Sequence, residues 1–290
     1  MKNLLLLTPL FLLACWDPAP ENTSEPLPTP QIPEKPVTKI YHPEGDHLAE
    51  RITPPAGYQR LAVQEGSFAE YLRNFPLMPH GSLVYTCDSS IIPNDHYYCA
   101  VLQIDVGKKD LQQCADAVMR LKAEYHYGKQ EYDSIHFNLT NGFRMNYSAW
   151  KEGKRLVVKG NQTYWKNSAA PSTDYASFRR YLDRVYTYAG TLSLSKELKP
   201  ASIDRIVPGE VFIQGGSPGH AVIVMDVAEN AEGERLFLLA QSYMPAQNIH
   251  VLVNRNEPDI SPWYRAKESQ SISTPAWHFY SEDLMAFPAM

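Results

Sequence analysis

Positive charge is scarce and dispersed in this chain. No run of Lys or Arg exceeds two residues, and 27 Lys and Arg stand against 32 Asp and Glu, a formal charge of -5. A surface of that sign repels phosphate backbones, which excludes nucleic acid as a partner. Cysteine is sparse too, four residues in 290, too few to staple a fold of this length, so the core has to come from apolar burial. The supply is adequate: 44% of residues are hydrophobic and 11% aromatic. Metal signatures are missing, since the nine histidines are scattered and neither His-Glu-x-x-His nor Cys-x-x-Cys occurs; no metal and no cofactor are expected. The glycine-rich segment 215–219 lacks the Lys-Ser/Thr of a phosphate loop and leads into a strand pattern, so nucleotide binding is disfavoured. Long apolar runs are absent outside the N-terminus.

That N-terminal run is informative. Residues 1–14 carry Lys2 and then an apolar stretch from Leu4 to Ala14, the length of a secretory signal and too short to span a bilayer comfortably. It closes on Leu12-Leu13-Ala14-Cys15, which resembles a bacterial lipobox. The resemblance implies cleavage before Cys15 and acylation of that residue, with each buried methylene contributing about 0.8 kcal/mol to anchorage on a membrane that the chain does not cross. Seven prolines (18, 20, 26, 28, 30, 33 and 36) then alternate with polar residues, a composition that favours an extended tether. The expected organisation is a signal peptide over 1–14, a lipidated Cys15 and Pro-rich tether over 15–40, and one domain over 41–290 in the bacterial cell envelope, outside the cytoplasm.

Within that domain, Ser67 and Glu70 form a capping box that opens a short helix to Phe75. Residues 81–86 and 98–106 read as strands. Asp110 and Gln113 mark the start of a helix with Leu111, Cys114, Val118, Leu121 and Tyr125 at apolar spacing. Segments 135–139 and 143–147 flank Thr140-Asn141-Gly142 as a hairpin, with 156–158 and 163–165 extending its sheet. A helix over 174–189 ends at Gly190. Residues 210–213, 220–227, 235–240 and 249–253 are strands separated by turns too short for parallel crossovers, so they pair antiparallel. The fold class is α+β.

With Cys15 acylated, three thiols remain. Cys87 and Cys99 bracket a loop between two strands, a spacing that allows a disulfide. Cys114 is then left over in the first turn of a helix, where the dipole can activate a thiol; its place on the apolar stripe equally suits an inert buried thiol. His220 stands at the mouth of an apolar strand, after Gly215-Gly216-Ser217-Pro218-Gly219. Alternation sends His220, Val222 and Val224 to one face and Ala221, Ile223 and Met225 to the other. The imidazole is either a base or a strand-end cap. Gln241 or Ser242, on the next strand, emerges near the same sheet end and is placed to hold its tautomer.

Gln113-Cys114 opening a helix, Pro208 to Ile213, Gly219 to Val224, and Gln241 after a hairpin together resemble the papain-like core of NlpC-type and CHAP-type cell-wall amidases and peptidases. The resemblance implies a papain-like domain with helices packed on an antiparallel sheet, Cys114 as nucleophile, His220 as base, Gln241 as orienter and Gln113 as an oxyanion contributor. It further implies acyl transfer on amide bonds of peptidoglycan or envelope peptides. The sequence departs from those families in three ways: Cys114 is expected one turn inside its helix, residues 128–175 lengthen the Cys-to-His spacing, and Gln241 stands where His, Asn, Asp or Glu is usual. The segments 111–117, 190–194 and 240–247 also resemble a family of bacterial lipoproteins described only as a domain of unknown function, which carries no activity. The rival expectation is a non-catalytic, lipid-anchored binding protein, with Trp150, Trp165, Trp263 and Trp277 offering a stacking surface for sugar or peptide.

Overall fold

Period-two alternation in the last third of the chain builds the largest sheet. The computed structural model describes residues 40–94, 96–268 and 271–288; the expected signal peptide and Cys15 lie outside them. Nine strands join: β1 Tyr58–Arg60, β2 Tyr98–Val101, β3 Lys199–Pro200, β4 Val211–Gln214, β5 His220–Asn230, β6 Arg235–Gln241, β7 His250–Leu252, β8 Tyr264–Arg265 and β9 Leu284–Ala286. Their order is β2-β7-β6-β5-β4-β9-β3, with β1 also beside β5 and β8 also beside β6, and every pairing is antiparallel. Six helices accompany the sheet among the described residues: α1 Leu48–Arg51, α2 Phe68–Arg73, α3 Cys114–Gly128, α4 Tyr147–Lys151, α5 Tyr175–Tyr188 and α6 Thr191–Glu197. The α+β class follows directly.

The alternation along β5 sorts the core into two layers. Ala221, Ile223 and Met225 pack with Ala115, Val118 and Leu121 of α3, whereas Val222 and Val224 join Phe212, Phe237, Phe279 and Leu284 on the other side. All of these side chains are buried, and each large one contributes about 1.5–3 kcal/mol relative to exposure. A bulge between Val224 and Asp226 interrupts the register. Beyond it Asp226, with no exposed surface, meets Arg60 of β1 and Arg73 of α2, each with Nε at 2.7 Å from one carboxylate oxygen. Arg60 also donates to the carbonyls of Ala49 and Ile52, and Arg73 to that of Leu61. One buried carboxylate thereby ties residues 49–73 to the central strand.

Local signals placed several elements well. Ser67 accepts from the Glu70 N–H and caps α2, and Asp174 accepts from the Ser177 N–H and caps α5. The hairpin around 140–142 forms as His136–Asn138 against Arg144–Asn146. Other expectations are corrected. Lys154–Lys159 and Gln162–Asn167 make their own two-stranded sheet and do not extend that hairpin. The strand expected over 81–86 shrinks to Val84–Tyr85, paired with Ile91–Ile92. Gly190 ends α5 and also caps α6, a helix the sequence reading did not separate.

The disulfide allowed by spacing does not form: Cys87 and Cys99 are free thiols. Tyr98 turns toward Val84, whose N–H donates to its hydroxyl at 3.1 Å. Its neighbour Cys99 therefore faces the opposite side of β2, with Sγ 3.8 Å from the Val251 carbonyl, away from the strand that leads to Cys87.

Removing one partner of a buried ion pair leaves the other charged and unpaired. Asp226→Ala is expected to cost about 3–5 kcal/mol in urea unfolding. A loss under about 1 kcal/mol, the range of a surface pair, would contradict the clamp.

Candidate active site

The N-terminus of α3 is set by two carboxylates with different tasks. Asp110 accepts from the Ala246 N–H at 2.7 Å and from the Gln113 side-chain amide at 3.0 Å, so it does not cap the helix. Asp116 instead accepts from the Gln113 N–H at 3.1 Å. Gln113 becomes the N-cap and Cys114 the first helical residue, a correction to the expectation that the thiol lies one turn inside. Ser242 anchors the same loop, its Oγ 2.9 Å from the Gln112 carbonyl and 2.8 Å from that of Gln247.

The glycine-rich segment brings the mouth of β5 against the start of α6. A Cβ at Gly219 would lie 2.6 Å from the Gly216 carbonyl and 2.7 Å from Thr191 Oγ1, so only glycine permits the approach. A cleft of about 340 Å³ opens there, and Cys114, His220, Thr191, Tyr243 and Trp277 all line it. Cys114 is half-buried. No hydrogen bond joins its sulfur to His220 among the described residues; such contacts commonly tighten only around substrate. Tyr243, Trp277 and Phe279 surround the imidazole with ring centroids at 4.9, 5.4 and 5.9 Å, and Trp277 is held by its indole N–H donating to Gln214 Oε1 at 3.0 Å.

A chain of hydrogen bonds fixes the tautomer of His220. His250 Nδ1 lies 2.9 Å from the carbonyl of Asn248. A carbonyl can only accept, so Nδ1 carries the proton, and in neutral His250 the Nε2 is left as an acceptor. Gln241 Nε2 lies 3.4 Å from it and donates. The amide oxygen of Gln241 then faces His220 Nε2 at 2.8 Å, and since that oxygen also only accepts, His220 is protonated on Nε2. Its Nδ1 lone pair has no hydrogen-bond partner among the described residues. Burial pulls both imidazoles down to about 4, with the Gln241 bond opposing the shift at His220 and the Asn248 bond opposing it at His250. Both rings are therefore neutral at pH 7.

Burial also pushes the Cys114 thiol up; the Ala115 N–H opposes this, the Asp116 carboxylate adds to it, and the N–H of Ala221, the residue after His220, opposes it again. Burial raises Asp116 well above the ordinary carboxylate range, and its Oδ1 has no partner. The resting pair is thiol and imidazole, not an ion pair.

The structure thus brings Cys114, His220, Gln241 and Gln113 to one end of the sheet. Gln113 Nε2 is committed to Asp110, and the first-turn N–H groups of α3 lie at the positive end of the helix dipole. Ser242 is not the orienter, because it points to Gln112. Trp150 and Trp263 are core residues, 4% and 0% exposed, which removes them from any stacking surface; Trp277 stays at the cleft. Sequence reasoning missed His250 and Asp116. The signal for His250 is its register: it stands directly opposite Gln241 across β6 and β7.

The chain matches the family described as Domain of unknown function (4846) over residues 48–286, and it belongs to that family. No curated protein and no solved structure matches it.

Long-range proton–nitrogen correlation spectra of the histidines are expected to show the proton of His220 on Nε2 and that of His250 on Nδ1, both rings staying neutral to about pH 5. His250→Phe removes the acceptor for the Gln241 amide, and the His220 signals should then report a mixture of tautomers. A His220 protonated on Nδ1 in the parent protein would overturn the assignment.

Proposed function

Within a family whose description names no activity, we propose that this protein is a cysteine amidase or peptidase of papain-like design that cleaves amide bonds of peptidoglycan or envelope peptides while anchored through an acylated Cys15. The observation that carries the proposal is that Cys114 and His220 line one cleft, with Nε2 of His220 held by Gln241 and Nδ1 without a hydrogen-bond partner among the described residues. A base needs its lone pair turned toward the nucleophile and its other nitrogen held; Gln241 supplies the hold.

The chemistry follows from those positions. As the Cys114 sulfur attacks an amide carbonyl, its proton passes to His220 Nδ1. The tetrahedral oxyanion is stabilised by N–H groups at the start of α3, where the helix dipole is also favourable. The imidazolium then returns the proton to the leaving amine, and the C–N bond breaks to give a thioester on Cys114. Water, deprotonated by the same imidazole, hydrolyses the thioester and restores the thiol. Because the resting groups are neutral, His220 acts as a general base at the moment of attack. Tyr243 and Trp277 at the cleft offer flat apolar walls for the substrate.

The pH dependence has a definite sign. His220 is a base at all pH values above about 4, and the thiolate fraction keeps growing toward a thiol pKa raised above the ordinary value. Alkylation of Cys114 in the folded protein by iodoacetamide should rise continuously from pH 6 to 9. A plateau over this span would mean a preformed ion pair. Cys114→Ala should abolish release of peptide from purified peptidoglycan, and His220→Ala should slow it by about 10²–10⁴. Release that survives Cys114→Ala would exclude the proposal.

A further inference from the structure

A second cavity, of about 490 Å³, lies at the other end of α3. It shares no lining residue with the thiol cleft. His126 is the thirteenth residue of a helix that begins at Cys114, which separates the two sites by about 18 Å along the axis. The walls come from α3, the hairpin at 136–146, the end of α6, Lys199 and the C-terminal Phe287 and Pro288.

Its charge is unlike that of the rest of the protein. Lys122, Arg144, Lys196 and Lys199 line it against one carboxylate, Glu197, in a chain of net charge -5. None of the four cations forms an ion pair among the described residues. Lys122 instead lies over the rings of Phe68 and Phe287, 4.6 and 5.3 Å from their centroids, and burial pulls its ammonium down to about 8. Four clustered cations facing one carboxylate repel one another in net, and a bound anion offsets that penalty.

Two imidazoles at the same cavity are left incomplete. His126 is 1% exposed; its Nδ1 donates to the ionised Glu131 at 2.8 Å, and its Nε2 is buried with no partner. His136 Nδ1 is also buried and unpartnered, with Nε2 3.7 Å from Glu197. Buried polar atoms of native proteins are nearly always satisfied, and leaving one bare costs about 1–3 kcal/mol. A bound anion meets both needs: its charge offsets the cations and favours uptake of a proton from solvent by an imidazole, which turns a bare nitrogen into a donor.

From these observations we propose that this cavity is a binding site for an oxyanion, carboxylate or phosphate, carried on an aromatic or apolar group that packs against Phe137 and Phe287. It is independent of the chemistry assigned to Cys114. Benzoate and phenyl phosphate are the probes, with benzyl alcohol as the neutral control, titrated by calorimetry at fixed ionic strength into the intact protein. At least one anion should bind saturably with a Kd of about 1 mM or tighter, benzyl alcohol should not, and the imidazole nitrogen signals of His126 should move on binding. Preference for benzoate identifies a carboxylate ligand, and preference for phenyl phosphate identifies a phosphoryl one. Lys122→Met and the surface variant Lys196→Gln should each weaken the binding about tenfold, while Lys166→Gln, at a residue that does not line the cavity, should not. Benzyl alcohol binding as tightly as the anions, no saturable binding, or equal loss in Lys166→Gln would overturn the proposal.

Discussion

A backbone carbonyl cannot donate a hydrogen bond, and the polarity of the candidate site follows from that one fact. The carbonyl of Asn248 takes the proton of His250 Nδ1, His250 takes a proton of the Gln241 amide, and Gln241 takes the proton of His220 Nε2. Each step leaves the next group one choice. The direction is thus imposed by a main-chain atom of the loop between β6 and β7, and side-chain titration does not reverse it near neutrality because burial keeps both rings uncharged. Antiparallel pairing supplies the spacing, with Gln241 and His250 directly across from each other.

Burial acts on the thiol and the imidazole in the direction that disfavours charge on either. It raises Cys114 and lowers His220, so a standing ion pair is penalised twice. Asp116, itself raised by burial in the same first turn, adds to the upward push on the thiol. What remains favourable to a thiolate is the set of N–H groups around it, including those at the positive end of a fifteen-residue helix. The opposite end of α3 is polarised the other way and carries Lys122 and His126 in its last turns, with Lys129 just beyond, which accords with the dipole. One helix therefore has the thiol cleft at its start and a cationic cavity near its end.

Much of the fold was legible where the signal is local. Ser67, Asp174 and Thr140-Asn141-Gly142 act within a few residues, and the alternation of β5 correctly separated Val222 and Val224 from Ala221, Ile223 and Met225. What escaped was decided at long range. Asp110 reads as a helix cap until the Ala246 N–H, 136 residues away, takes its carboxylate. Asp226 reads as an odd acid in an apolar strand until Arg60 and Arg73 arrive from 166 and 153 residues upstream. In the site, Cys114 stands at a helix start, His220 at a strand start and Gln241 at a strand end, all readable from local pattern; His250 was not, because only the register of β6 on β7 reveals that it stands beyond Gln241.

The most direct measurement is the mass of the chain during turnover. Purified peptidoglycan fragments are mixed with the protein, the reaction is stopped in acid, and the peptide containing Cys114 is weighed. Attack by Cys114 predicts an acyl group on that peptide, lost on treatment with hydroxylamine and missing in His220→Ala. Cleaved fragments that accumulate while Cys114 never gains mass, even with the second half of the reaction slowed by cold, would contradict the account.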